Sequence, residues 1–291
     1  MTKKTTIGLG CCLILLFAFQ GVDAQFLTLP QVSPKASVMQ RIGITDVTIT
    51  YHRPGVKGRV IWGELVPFGG ESNPMVNDGK PFPWRAGANE NTVISFTHDV
   101  KINGNPLPAG SYGFHIMPHE MEWTLIFSKK FTSFGSFFYK EEDDALRITV
   151  TPTEAPFLER LAYGFEELTD NSANAFLHWE KLKVSFKIEV DVPTITIASI
   201  KNELDGGFGF FWWGYNNAAN YCIRAETHYD LGLEWVDQSI NMDRNFRNLA
   251  TKGQLLAKTG ETEEAKKLLK EAKDMAPDRV KERIQQLIDN L

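Results

Sequence analysis

The sequence predicts a mainly β N-terminal domain, an antiparallel β-sandwich or barrel, followed by an all-α helical-repeat module. Three observations carry that prediction. Residues from about 36 to 192 alternate apolar and polar with period two. Turn residues such as Asn103-Gly104 punctuate the alternation. From residue 215 the apolar spacing lengthens to the i, i+3, i+4 pattern of helices. A composition of 43% hydrophobic and 23% charged residues suits a folded globular chain.

Residues 1–24 read as a secretory signal peptide. Lys3 and Lys4 form its basic start, Ile7 to Phe19 its apolar core, and Val22-Asp23-Ala24 a small-residue cleavage site. The apolar run is short for a hydrocarbon core ~30 Å thick, so it is not read as a spanning helix. Cleavage would remove Cys11 and Cys12 and leave Cys222 alone. No internal disulfide is expected, and stability must come from burial. The expected address is the periplasm or the extracellular side of a bacterial envelope, with no transmembrane helix in the mature chain.

The β domain is assigned to residues 25–192. In TDVTITY, Val47, Ile49 and Tyr51 alternate with Thr48 and Thr50. Leu146, Ile148 and Val150 alternate with Arg147 and Thr149, and Val184, Phe186, Ile188 and Val190 with Lys183, Ser185, Lys187 and Glu189. One wet face per strand is the antiparallel signature. Asn103-Gly104 predicts a two-residue hairpin, because both residues tolerate positive φ. Strands Ser111 to Met117 and Trp123 to Phe127 follow, for eight or nine strands in all.

Residues 193–214 read as an aromatic, Gly-rich linker that starts with a short extended run. Its rings, Phe208 to Trp213, are expected to pack between the two halves, or else to form a partner-binding patch. Residues 215–291 read as helical hairpins. Leu249, Gly253, Leu256, Ala265, Leu269, Ala272 and Pro277 fall in the register of a tetratricopeptide repeat, and residues 34 positions earlier give a degenerate copy. Cys222 falls on that register as a packed small side chain. The repeats suggest a protein partner.

A net charge of -5 argues against a general affinity for nucleic acid. The chain has no phosphate loop, dinucleotide fingerprint, Gly-x-Ser-x-Gly elbow or Cys-x-x-Cys pair, so no cofactor is expected. His115 and His119 are four apart, but Pro118 lies between them and an extended strand would hold them ~13 Å apart, so no metal site is assigned. The candidate ligand-binding residues are Arg53, Trp84, Arg85, Asn89, Glu90 and His178. Arginine beside tryptophan can stack while its fork grips an anion. Two readings stay open: a pocket for a small polar or anionic ligand, and a structural network pinning the WRAGANE loop to the sheet. A hydrolase using Glu90 or Glu180 with His178 is the catalytic alternative, although no nucleophile or oxyanion donor is readable.

The runs KASVMQRIGITDVTITYHRPGVKGRVIWGELVPFG, WRAGANENT, DVKINGNPLPAGSYGFHIMP, EWTLIFSK and HWEKLKVSFKIEV occur in that order. Together they resemble a secreted bacterial family, domain of unknown function 2911, over residues of about 30–190. The resemblance implies an exported, strand-rich domain, and it implies no activity. One departure is the longer connection GESNPMVNDGKPFP, a length that suits a binding loop or an inert surface excursion.

Overall fold

The computed structural model describes residues 29–75 and 77–291, so the predicted signal peptide, with Cys11 and Cys12, lies outside the described residues. Among the described residues ten strands follow in order: β1 (Lys35–Ile42), β2 (Thr45–His52), β3 (Thr92–Phe96), β4 (Val100–Ile102), β5 (Asn105–Leu107), β6 (Gly110–Met117), β7 (Trp123–Ser128), β8 (Asp144–Val150), β9 (Thr153–Glu166) and β10 (Ser172–Glu189). They form two antiparallel sheets, ordered β1-β2-β3-β6-β7-β8 and β5-β4-β10-β9. The inward rows of both sheets share one core. Phe186 of β10 packs against Phe114 of β6 and Phe127 of β7, with ring centroids 5.6 and 5.7 Å apart. Two facing sheets answer the choice between sandwich and barrel in favour of the sandwich.

Local chemistry explains the hairpins. Asn103 (φ 48°) and Gly104 (φ 81°) form the two-residue turn between β4 and β5. These two short strands bring the number above the eight or nine expected.

Among the described residues six α-helices follow: α1 (Val192–Leu204), α2 (Trp212–Arg224), α3 (Tyr229–Met242), α4 (Phe246–Thr259), α5 (Thr262–Met275) and α6 (Asp278–Asp289). Helix α1 replaces the extended run expected after residue 193. The Asp191 side chain accepts a hydrogen bond from Thr194 N, and Pro193 sits in the first turn, where it costs no helical bond. Val192 and Ile195 of α1 pack on the sandwich core, while Ile197 and Leu204 belong to the first helical core.

The linker rings do not pack between the halves. Phe208, Phe210, Phe211 and Trp213 are all exposed, and Trp213 packs with Phe208 and Phe211 instead. In the last helices, Gly253 abuts the Leu269 side chain, where a Cβ would stand 2.8 Å from Leu269 Cγ. Cys222 is fully buried, and burial raises its thiol pKa to about 11. Among the described residues no helix is long and apolar enough to cross a membrane.

Candidate functional site

The WRAGANE loop leaves and rejoins the same neighbouring strand. Trp84 exchanges two 2.8 Å backbone hydrogen bonds with Ile116 of β6, and Thr92, which begins β3, pairs with Phe114 two residues earlier. Residues 85–91 must therefore bulge out of the sheet. Ala86 (φ 51°) and Asn89 (φ 57°) take left-handed conformations to make the bend.

Alternation then sorts the side chains. Trp84 and Ala86 face the core. The Trp84 indole donates to Gly87 O (3.1 Å) and packs with Trp62 and Trp179. Ala86 O accepts from Tyr163 Oη (2.8 Å) and Thr92 Oγ1 (3.0 Å). Arg85, between them, emerges on the opposite side, where residues 129–143 cross the sheet between β7 and β8.

There the guanidinium lies 5.7 Å from the Phe134 ring centroid and 5.1 Å from that of Phe137. Gly135 (φ 63°) lies against it, and a Cβ at that position would overlap the guanidinium. Arg85 Nη1 donates to Asn89 O. Among the described residues no carboxylate stands within ion-pair distance of Arg85. Burial lowers its pKa from the usual arginine value, and the charge of Glu71 opposes that shift. Glu71 is brought near by the long 70–83 connection, whose base is clasped by reciprocal 2.9 Å backbone bonds between Glu71 and Phe82. Burial raises the Glu71 pKa, and Arg85 works against the rise.

Beside this pair lies a polar contact on the outer face of β6. His115 Nδ1 is 2.9 Å from Ser136 Oγ, and both residues are buried. Burial, assisted by the positive charge of Arg85, lowers the imidazole to about 4, so His115 is neutral at neutral pH. Asn91 reaches weakly to Lys130 O and Phe131 O, both at 3.4 Å, while its buried Oδ1 has no protein partner.

Trp84, Arg85, Asn89 and Glu90 thus share one loop but face different neighbours. Asn89 Nδ2 donates to Ser33 O (3.2 Å). Glu90 Oε2 stands 3.2 Å from His52 Nε2 and half of its side chain is exposed. Burial lowers the His52 pKa, Glu90 raises it, and Lys35 lowers it further. Arg53 Nε donates to Leu161 O (2.9 Å), an anchor onto the β9 backbone. His178 Nε2 lies 2.8 Å from Pro156 O. Glu180 takes a left-handed φ (57°) where the β9–β10 register shifts, and its carboxylate accepts from Lys181 N. Glu90 and His178 therefore have separate partners.

Glu71, His115, Ser136, Phe134 and Phe137 were not among the expected site residues. The readable signal was FTSFGSFF (residues 131–138), four phenylalanines around Gly135-Ser136 in a segment that forms bends and turns. Among the described residues no group of three or more His, Cys, Asp or Glu is placed to hold a metal ion. A family model described as "Protein of unknown function (DUF2911)" matches residues 33–188. Comparison with curated proteins and with solved structures returns no match.

Proposed function

The chain belongs to the DUF2911 family, whose description assigns no activity, and we propose that it is an exported, envelope-associated binding protein in which Arg85 receives a small anionic or polar ligand. One observation carries the reading: a half-buried guanidinium, held between Phe134 and Phe137, makes among the described residues one hydrogen bond to a backbone carbonyl and no ion pair. A guanidinium has five N–H donors, and a half-buried one gains most from an anion that takes several of them at once. Phe137 also borders a surface cleft of about 430 Å³ with Lys80, Lys130, Lys140, Glu141 and Glu142, so the aromatic cover of Arg85 reaches open surface. Export is supported by the leader pattern of residues 1–24.

The helical half is read as tetratricopeptide-like and as a surface for a protein partner. The small residues Gly253 and Ala265 at the α4–α5 crossing support this reading.

The test is thermal stabilisation of the full chain by phosphate, sulfate, acetate and citrate, compared with Arg85→Met. The reading expects at least one anion to raise the melting temperature of the wild type and none to raise that of the variant. Unfolding of Arg85→Met in the absence of any anion would assign Arg85 to a structural network instead. Assays with glycoside, ester and peptide substrates check the alternative hydrolase. Turnover that disappears in His178→Ala would replace binding with catalysis.

A further inference from the structure

A cleft lies in the helical half, lined by none of the residues around Arg85. Trp213, Asn217, Tyr221 and Arg224 recur along α2 at intervals of four, four and three residues, so they form one stripe. The stripe lines a cleft of about 230 Å³ between α1 and α2, with Glu203 of α1 across from it and Phe208 beside it. Gly214 and Ala218 keep the floor low, and a Cβ at position 214 would overlap Phe208 O.

Two features of this cleft point to a ligand. Asn217, Tyr221 and Arg224 make no side-chain hydrogen bond or ion pair with any described residue. The Trp213 ring is stacked on Phe211 (centroids 5.3 Å, 14° between planes) and met edge-on by Phe208 at 5.6 Å. It is a flat aromatic surface propped from behind and 38% exposed.

We propose that the α1–α2 cleft binds a saccharide. A sugar ring offers an apolar C–H face for Trp213 and a rim of hydroxyls that both donate and accept. The asparagine amide and tyrosine hydroxyl also do both, Arg224 donates and Glu203 accepts. The opposite charges of Glu203 and Arg224 cancel, which favours a neutral ring over an anion. A wholly apolar occupant would strip water from Asn217, Tyr221 and Arg224 and give no hydrogen bond in return.

The experiment is calorimetric titration of the full chain with maltotetraose, cellotetraose and chitotetraose, with tryptophan fluorescence as a second readout. At least one of the three should bind with a change in fluorescence. Trp213→Ala should weaken that binding by about tenfold or more, in line with the loss of an aromatic stacking contact. Asn217→Ala should weaken it several-fold, and Arg85→Met should leave it unchanged. If Trp213→Ala does not fold, the exposed Asn217→Ala decides by the same titration. The proposal is overturned if none of the three sugars binds, if binding survives the deciding variant at full strength, or if an unstructured peptide competes for the cleft and no sugar does.

Discussion

Arg85 and Gly135 come from distant parts of the chain and compete for the same space. Gly135 has a φ of 63°, a region that costs other residues about 1–2 kcal/mol, and a Cβ there would overlap the guanidinium. Gly135→Ala should therefore lower stability by about 1–2 kcal/mol from backbone strain, with a smaller addition from displacing the flexible end of Arg85. Shortening Arg85 removes the overlap but not the strain. In urea melts, Gly135→Ala combined with Arg85→Ala should lose less than the sum of the two single variants, and strict additivity would mean that the two sites do not touch. His115 permits a pH prediction at the same scale. Its pKa of about 4 lies below the ordinary 6.5, so the unfolded chain binds a proton that the folded one does not. Its contribution to stability is complete above pH 6.5 and is lost as pH falls towards 4.

The segment from Lys129 to Asp143 behaves as a strap across the outer face of the sandwich. Lys129 N donates to Asp143 O (2.8 Å), closing its two ends. Tyr139 anchors it by packing with Phe82 and Ile126, and its hydroxyl donates to Asp144 Oδ2 (2.7 Å). Asp144 Oδ1 is buried without a protein partner, and burial raises this carboxyl to about 6 against the ordinary 3.8. The sign is opposite to that of His115. A raised acid contributes fully below pH 3.8, and the contribution is lost as pH rises through about 6. The two groups oppose each other between about pH 4 and 6, so their contributions to the slope offset one another there. Relative to the wild type, His115→Gln should make stability fall more, or rise less, with rising pH, and Asp144→Asn should do the reverse. Urea midpoints across that range check both, and a variant that keeps the wild-type slope would show that its group does not titrate as described. This strap was illegible in the sequence because Phe131, Phe134 and Phe138 imitate the i, i+3, i+7 spacing of a helix, while the segment around Gly135 forms bends and turns instead. Length was a usable cue, since fifteen residues between two strands is long for a compact domain, but that rule drew attention to residues 70–83 instead. Helix α1 was misread for a related reason. In Thr194-Ile195-Thr196-Ile197 the β-branched alternation imitates a strand, and the Asp191 cap outweighs it. Hairpins and the strands with one wet face were legible because turn chemistry and period two are local properties. The partners of Arg85 depend on which distant segment crosses β6, and no local pattern encodes that.

At the scale of the molecule, the sandwich and the helices keep separate cores. Phe114, Trp179 and Phe186 belong to the first, Cys222, Trp235 and Leu255 to the second, and Leu249, Leu256 and Leu269 to the third. The two helical cores share Leu233 and Ile240 as partly buried neighbours, so they should melt together. The sandwich core reaches the helices through α1, by Val192 and Ile195 on one side and Ile197 and Leu204 on the other. A single helix carrying a few apolar contacts each way transmits little stability between bodies that each bury their own core. Leu256→Ala opens a cavity in the helical half and should cost about 2–5 kcal/mol there. In scanning calorimetry of the full chain, the helical transition should move to lower temperature while the sandwich transition stays in place. A joint shift of all the heat absorption would mean that α1 welds the two halves into one cooperative unit. Placing Pro at position 198, in the interior of α1, would then be the decisive second variant, since it breaks the helix at about 3 kcal/mol and should split that single transition in two.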